Sequence, residues 1–152
     1  MFNLYIPKNK YEKKYVLELL KRNFFPNLPF AQIKTEITPG KSFIFTEARK
    51  FIGSITIDSI DKTTAAFRLV AIDEPLRNQG LGNIMLGLAE SIVIDNNYSL
   101  IYIRSTLMAV NFYRRAGFIE TINNEFNFVP DTIFMSKELR NNINEKRTYH
   151  KP

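Results

Sequence analysis

Arg77-Asn78-Gln79-Gly80-Leu81-Gly82 falls where the apolar run Thr64–Ile72 gives way to the stripe Leu81, Met85, Leu88 and Ile92. The pattern changes there from that of a strand to that of a helix. A helix start leaves up to four N–H groups without partners, and its dipole puts partial positive charge beside them. Glycines keep side chains away from those donors, so the segment is a candidate anion site. Glycines also serve helix starts for backbone reasons alone, and that reading stays open at this point. Two familiar phosphate loops fit poorly: Met85 stands where a third dinucleotide-loop glycine belongs, and no Gly-Lys-Ser/Thr follows.

Other chemistries lack their residues. The 152-residue chain has no cysteine, which removes disulfides, thiolate ligands and any covalent cysteine mechanism and fits a reducing, cytoplasmic setting. Its one histidine, His150, is the third residue from the end, so neither a Ser-His-Asp triad nor a metal site is expected. No apolar run approaches the ~20 residues of a membrane span. The start, Met1 to Lys8, does not read as a secretory signal, and no membrane partner is expected. Of the net charge of +6, residues 1–25 carry +4 and residues 137–152 carry +3, which leaves the middle at −1. A basic surplus at the two ends, with none across the body, argues against a polynucleotide partner.

The elements that must hold the glycine loop follow from periodicity. Length and a hydrophobic content of 45% predict one domain over 1–139, with a polar basic tail, 140–152, expected to be flexible. Phe2–Ile6 reads as a first strand, and residues 11–24 as an amphipathic helix with Tyr15, Val16, Leu19, Leu20 and Phe24 inward. Residues 26–41, with three prolines, read as an irregular or partly helical loop. Ser42–Glu47, Phe51–Ser59 and Thr64–Ile72 are separated by short polar turns, the spacing of an antiparallel meander. Gly53 predicts a bulge or a close backbone approach. A helix from Leu81 to about Ile94, a strand Ser99–Arg104, and a short helix Met108–Ala116 come next. In that last helix Ala109, Phe112 and Ala116 share a face, and Gly117 follows as its C′ residue. Two closing strands, Phe118–Ile122 and Thr132–Ser136, complete a mixed α/β (α+β) sheet of about seven strands, with 64–104 its one parallel crossover.

Arg77-x-x-Gly80-x-Gly82 after an apolar strand resembles the acyl-CoA pyrophosphate loop of the GNAT-type N-acetyltransferase superfamily. Ala109-Val110-Asn111-Phe112-Tyr113-Arg114-Arg115-Ala116-Gly117-Phe118 resembles the second motif of that family, A-x-x-F-Y-x-x-x-G-F, at the expected distance. The resemblance implies that the fourth and fifth strands splay apart and that the pantetheine arm of acetyl-CoA, the co-substrate, lies between them. It places backbone groups of Ile72 on the acetyl and pantetheine amides. It places the N–H groups of Arg77, Asn78, Gln79, Gly80, Leu81 and Gly82, with Asn83, on the pyrophosphate. Tyr113 becomes the proton donor to the leaving thiolate, Asn111 a further cofactor contact, and Phe112 a packing residue.

Two positions depart from the family pattern. Thr106 stands where an asparagine is common and offers one hydrogen bond where an amide offers two. Ala66 stands where several members carry a glutamate base, so the base is unassigned: Glu47, Asp73, Glu74 or relayed water remain. Arg68 on the same strand cannot accept a proton and is expected to pair with Glu47 or Asp58, or with an acidic substrate group, the internal pairing being favoured. Without cysteine, direct transfer in a ternary complex to a primary amine is the implied reaction, the acceptor being a small molecule or a protein. A non-catalytic acyl-CoA sensor and an RNA-directed transferase acting on aminoacyl-tRNA are the rival readings. A homodimer is left open. The acceptor loops, 24–41 and 123–131, do not name the acceptor.

Overall fold

Asn9 starts the first helix: its side-chain oxygen accepts from the Glu12 amide at 2.9 Å, and α1 runs over Lys10–Phe24. The computed structural model describes residues 1–122 and 129–139. Val16, Leu19 and Leu20 are buried, Tyr15 is half-buried, and Phe24 at the helix end is exposed. Glu12, three residues after the cap, is buried as well. It accepts from the Lys8 amide at 2.8 Å and from the Tyr5 hydroxyl at 2.5 Å, so it ties α1 to the first strand. The Tyr5 hydrogen bond, then that from Lys8, holds its carboxyl below the usual range. A lowered folded value stabilises the protein above the unfolded value, near ~4.3, and the contribution disappears as pH falls through the folded value. Glu12→Gln is therefore expected to cost about 1–3 kcal/mol in urea denaturation at neutral pH, with the difference from wild type shrinking toward pH ~3.

Residues 26–41 contain a real helix, α2 (Phe30–Ile37), with Ile33 buried. One seven-stranded sheet follows the order β1-β2-β3-β4-β5-β7-β6. Its strands are β1 (Phe2–Tyr5), β2 (Lys41–Glu47), β3 (Lys50–Ser59), β4 (Thr64–Ile72), β5 (Leu100–Thr106), β6 (Ile119–Glu120) and β7 (Thr132–Glu138). Only β4 and β5 pair in parallel. The crossover between them contains α3 (Leu81–Asp95), and α4 (Val110–Arg115) follows β5. The expected tail, 140–152, and most of the loop 123–131 lie outside the described residues.

Alternating side chains put the strands' two faces into different cores. Phe43 and Phe45 pack with Phe67, Met85, Leu86, Ile101 and Phe118 beneath α3 and α4, whereas Ile44 packs with Val16, Leu20 and Ile33 beneath α1 and α2. The sheet is thus covered on both sides. Both expected apolar helix faces pack on the core, and the most deeply buried residues lie in or beside them. On α3 the buried stripe is Met85, Leu86, Ala89 and Val93, with Leu81, Leu88 and Ile92 half-buried on its flank. In the second short helix the first turn tightens into a 3₁₀ turn, Leu107–Ala109; Val110 and Tyr113 are buried in the core, and Ala109, Phe112 and Ala116 pack half-buried against it.

Candidate active site

The parallel pairing of β4 with β5 covers Thr64–Phe67 against Leu100–Ile103 and then stops. Beyond it, β4 carries one extra residue relative to β3: Ser54 faces Ala71, while Thr56 faces Arg68. Leu69 absorbs the insertion at φ +52°, in the left-handed region. Such a bulge bends and twists a strand. The last residues of β4 stay on β3 and those of β5 stay on β7, so their facing edges have no partner. Gly53 shows both expected features. The β2–β3 register slips beside it, and a Cβ there would come within 2.4 Å of the Ala71 carbonyl oxygen.

A cleft of about 930 Å³ opens at this gap. Ile72, Arg77, Asn78, Gly80, Leu81, Gly82 and Asn83 line one wall, and Thr106, Asn111 and Tyr113 line the other. Of the residues expected from sequence, only Gln79 stays out; it is exposed on the loop. Asn78 at φ +64° and Gly80 at φ +78° turn the chain into α3, whose N-terminus has no side-chain cap. A Cβ on Gly80 would meet nothing within 4 Å, and one on Gly82 would meet Phe112 Cζ at 3.0 Å. The uncapped amides therefore face open space over a bare backbone, which fits a pyrophosphate.

The Arg77 side chain does different work from its backbone. Its Nε donates to the Ile72 carbonyl at 3.0 Å, and its guanidinium also donates to the Asn23 side-chain oxygen in the last turn of α1. It buttresses the loop against strand and helix. The sequence reading missed Arg115, which lines the cleft and has no ion-pair or hydrogen-bond partner among the described residues. Arg114, its neighbour, is bound to Glu120. The only sequence signal for Arg115 was its place in the last turn of the motif helix.

Tyr113 is 7% exposed. Its ring lies against Phe112 and Phe118, with centroids 5.1 and 5.8 Å away. A Schellman closure fixes the helix end that carries it: the Phe118 amide donates to the Tyr113 carbonyl and the Gly117 amide to that of Arg114, both at 3.0 Å, with Gly117 at φ +96°. The hydroxyl makes no hydrogen bond among the described residues, and burial alone pushes its pKa up to about 12. Asn111 is exposed and accepts from Arg114 at 3.3 Å, and Thr106 is exposed at the end of β5.

Among the described residues no carboxylate lines the cleft. Asp73 is held by the Tyr15 hydroxyl at 3.2 Å and by Arg22 at 3.5 Å, and Tyr15 is pushed well above the usual phenol range, first by burial and then by Asp73. Glu47 and Glu74 are exposed outside the cleft. Arg68 pairs internally with Asp58 and donates to the Glu36 carbonyl at 3.0 Å. Among the described residues no group of three or more Asp, Glu, His or Cys could hold a metal ion, and no helix is long and apolar enough to cross a membrane.

A parallel pair parted over a cleft, with a glycine-started helix and a buried tyrosine on its walls, is what the two sequence motifs imply together. The chain belongs to the GNAT acetyltransferase family: residues 9–139 match the family model described as the acetyltransferase (GNAT) domain. Solved structures agree on the fold. A GNAT family acetyltransferase from Elizabethkingia anophelis, with acetyl-CoA bound, is 18% identical at a TM-score of 0.72, over 91% of this chain and 98% of that one. Spermidine N-acetyltransferase from Vibrio cholerae, in complex with CoA and spermine, is 18% identical at 0.73, over 90% and 95%. A GNAT family acetyltransferase from Staphylococcus aureus is 17% identical at 0.69, over 92% and 100%. The comparison with curated proteins gives no match.

Proposed function

We propose that this protein transfers the acetyl group of acetyl-CoA to a primary amine by direct attack in a ternary complex. The carrying observation is the buried, unbonded Tyr113 hydroxyl in the same cleft as the uncapped start of α3. Acetyl-CoA supplies an activated acyl group on a good leaving sulfur. Backbone groups of Ile72 hold the extended arm in the open edge of β4. The amides of residues 77–83 hold the pyrophosphate, and Tyr113 delivers its proton to the departing sulfur. The cysteine-free chain suits a reducing cytoplasm.

With no carboxylate among the described residues that line the cleft, none of them serves as proton acceptor for the amine. The reactive acceptor is then the neutral amine, and kcat/KM rises with pH toward the amine's own pKa. Incubation with labelled acetyl-CoA and a library of amines and peptides, followed by mass spectrometry, tests the reading. N-acetylated product and CoA release above the acceptor-free background are expected. Release at background with every acceptor overturns it in favour of an acyl-CoA sensor, the reading that Ala66 and Thr106 support.

Among the described residues Arg115 is the one lining cation with no other commitment, and it is assigned to a phosphate of the coenzyme. Arg115→Gln is expected to raise the KM for acetyl-CoA by about tenfold with kcat nearly unchanged, because the contact is the same in ground and transition states.

A further inference from the structure

We propose that the groove between α1 and α2 docks an acidic, amphipathic segment of a protein partner. Two hollows of about 340 and 420 Å³ share Lys13, Leu17 and Lys34 and so form one continuous groove. Its ionisable lining is Lys10, Lys13, Lys14 and Lys34 with a single acid, Glu18, which already pairs with Lys14 at 3.8 Å. Lys13 and Lys34 have no ion-pair partner among the described residues. Their floor is aliphatic, from Leu17, Val16 and Ile37, and ends in two exposed apolar side chains, Ile6 and Phe30, at 47% and 44%.

At 100° per residue, Lys10, Lys13 and Leu17 fall on one flank of α1, while Tyr15 and Arg22, which hold Asp73, fall on the other. The groove is therefore separate from the cleft, and the proposal does not depend on the acceptor assigned there. Like charges gathered over apolar surface repel one another and stay soluble, and both terms reverse when carboxylates and apolar side chains arrive together. A polynucleotide fits less well. Its recognition uses aromatic platforms and arginine planes, and the groove has no arginine and one phenylalanine.

A short fluorescein-labelled peptide of leucine and glutamate, read by anisotropy, tests the proposal alongside an all-glutamate peptide of equal charge and a uridine oligonucleotide. The leucine-containing peptide is expected to bind, and to be weakened about tenfold by K13E/K34E but less than about twofold by Lys62→Glu on the β3–β4 turn. Binding should also weaken between low salt and about 0.3 M salt. Phe30→Ala, which removes exposed apolar floor and the ring beneath Lys21 Nζ but no charged group, should weaken this peptide and leave the all-glutamate one unchanged. Equal binding of the all-glutamate peptide, tighter lysine-dependent binding of the oligonucleotide, equal loss in Lys62→Glu, or no binding would each overturn the assignment. Acetyl transfer to a small amine should be unchanged in all these variants, so failure here is distinguishable from failure of the catalytic reading.

Discussion

Tyr113→Phe is expected to lower kcat by about two orders of magnitude, the lower range for a positioned acid, while acetyl-CoA affinity is nearly kept. The substitution removes only an oxygen, and that oxygen has no hydrogen-bond partner among the described residues to strand. The melting temperature should therefore stay close to wild type, which separates a chemical role from a packing one. In water a phenol near ~10 is a weaker acid than a thiol near ~8.5, so transfer to the leaving sulfur would run uphill there, and burial pushes this phenol further up, to about 12. The same apolar walls raise the thiol, because they disfavour its anion as they disfavour the phenolate. What matters is the difference between the two inside the cleft. The raised value also keeps the acid protonated across the working range. Any fall in kcat below pH ~11 must then come from a group other than Tyr113. Near-wild-type kcat in Tyr113→Phe removes the residue from the mechanism.

The site could be read from sequence where its geometry is local. Gly80, Gly82 and Gly117 each sit at a helix end, and a helix end is set by the few residues around it. The strand-then-helix change of period placed the loop, and nine apolar-rich residues, Thr64–Ile72, gave β4 its observed bounds. What escaped the reading is non-local. Nothing in the type of Leu69 marks it as the residue that takes a left-handed φ; β3 on one side and the parted β5 on the other select the bulge. The motif gave Arg77 a backbone role and no side-chain partner; its side chain turns to a carbonyl 5 positions away and a side-chain amide 54 positions away. Arg115 gains its meaning only because Arg114 is taken by Glu120. On α3 and α4 the apolar faces read from periodicity do pack on the core, but a helix packed on a sheet and flanked at its edges buries more than one stripe, so periodicity alone does not choose which is deepest.

Gly82→Val is expected to weaken acetyl-CoA binding by roughly thirty- to a hundredfold without unfolding the protein. Gly82 has ordinary helical backbone in the first turn of α3, so a side chain there carries no penalty of handedness and restricts the unfolded chain. A Cβ, however, would stand 3.0 Å from Phe112 Cζ, 3.1 Å from Cε1 and 3.9 Å from Ile72 Cγ1. Those contacts leave the two γ carbons of valine only the cleft, which is the space proposed for the coenzyme against the amides. Gly80→Ala makes the contrasting case. Its Cβ meets nothing within 4 Å, but φ is +78°, so the cost of about 1–2 kcal/mol falls on the backbone and lowers stability. Calorimetric titration with CoA and thermal melting of both variants separate the two effects. Lost binding with intact melting for Gly82→Val, set against reduced melting for Gly80→Ala, is the expected pair. Retained CoA binding in Gly82→Val would mean that the pyrophosphate does not lie on the first turn of α3.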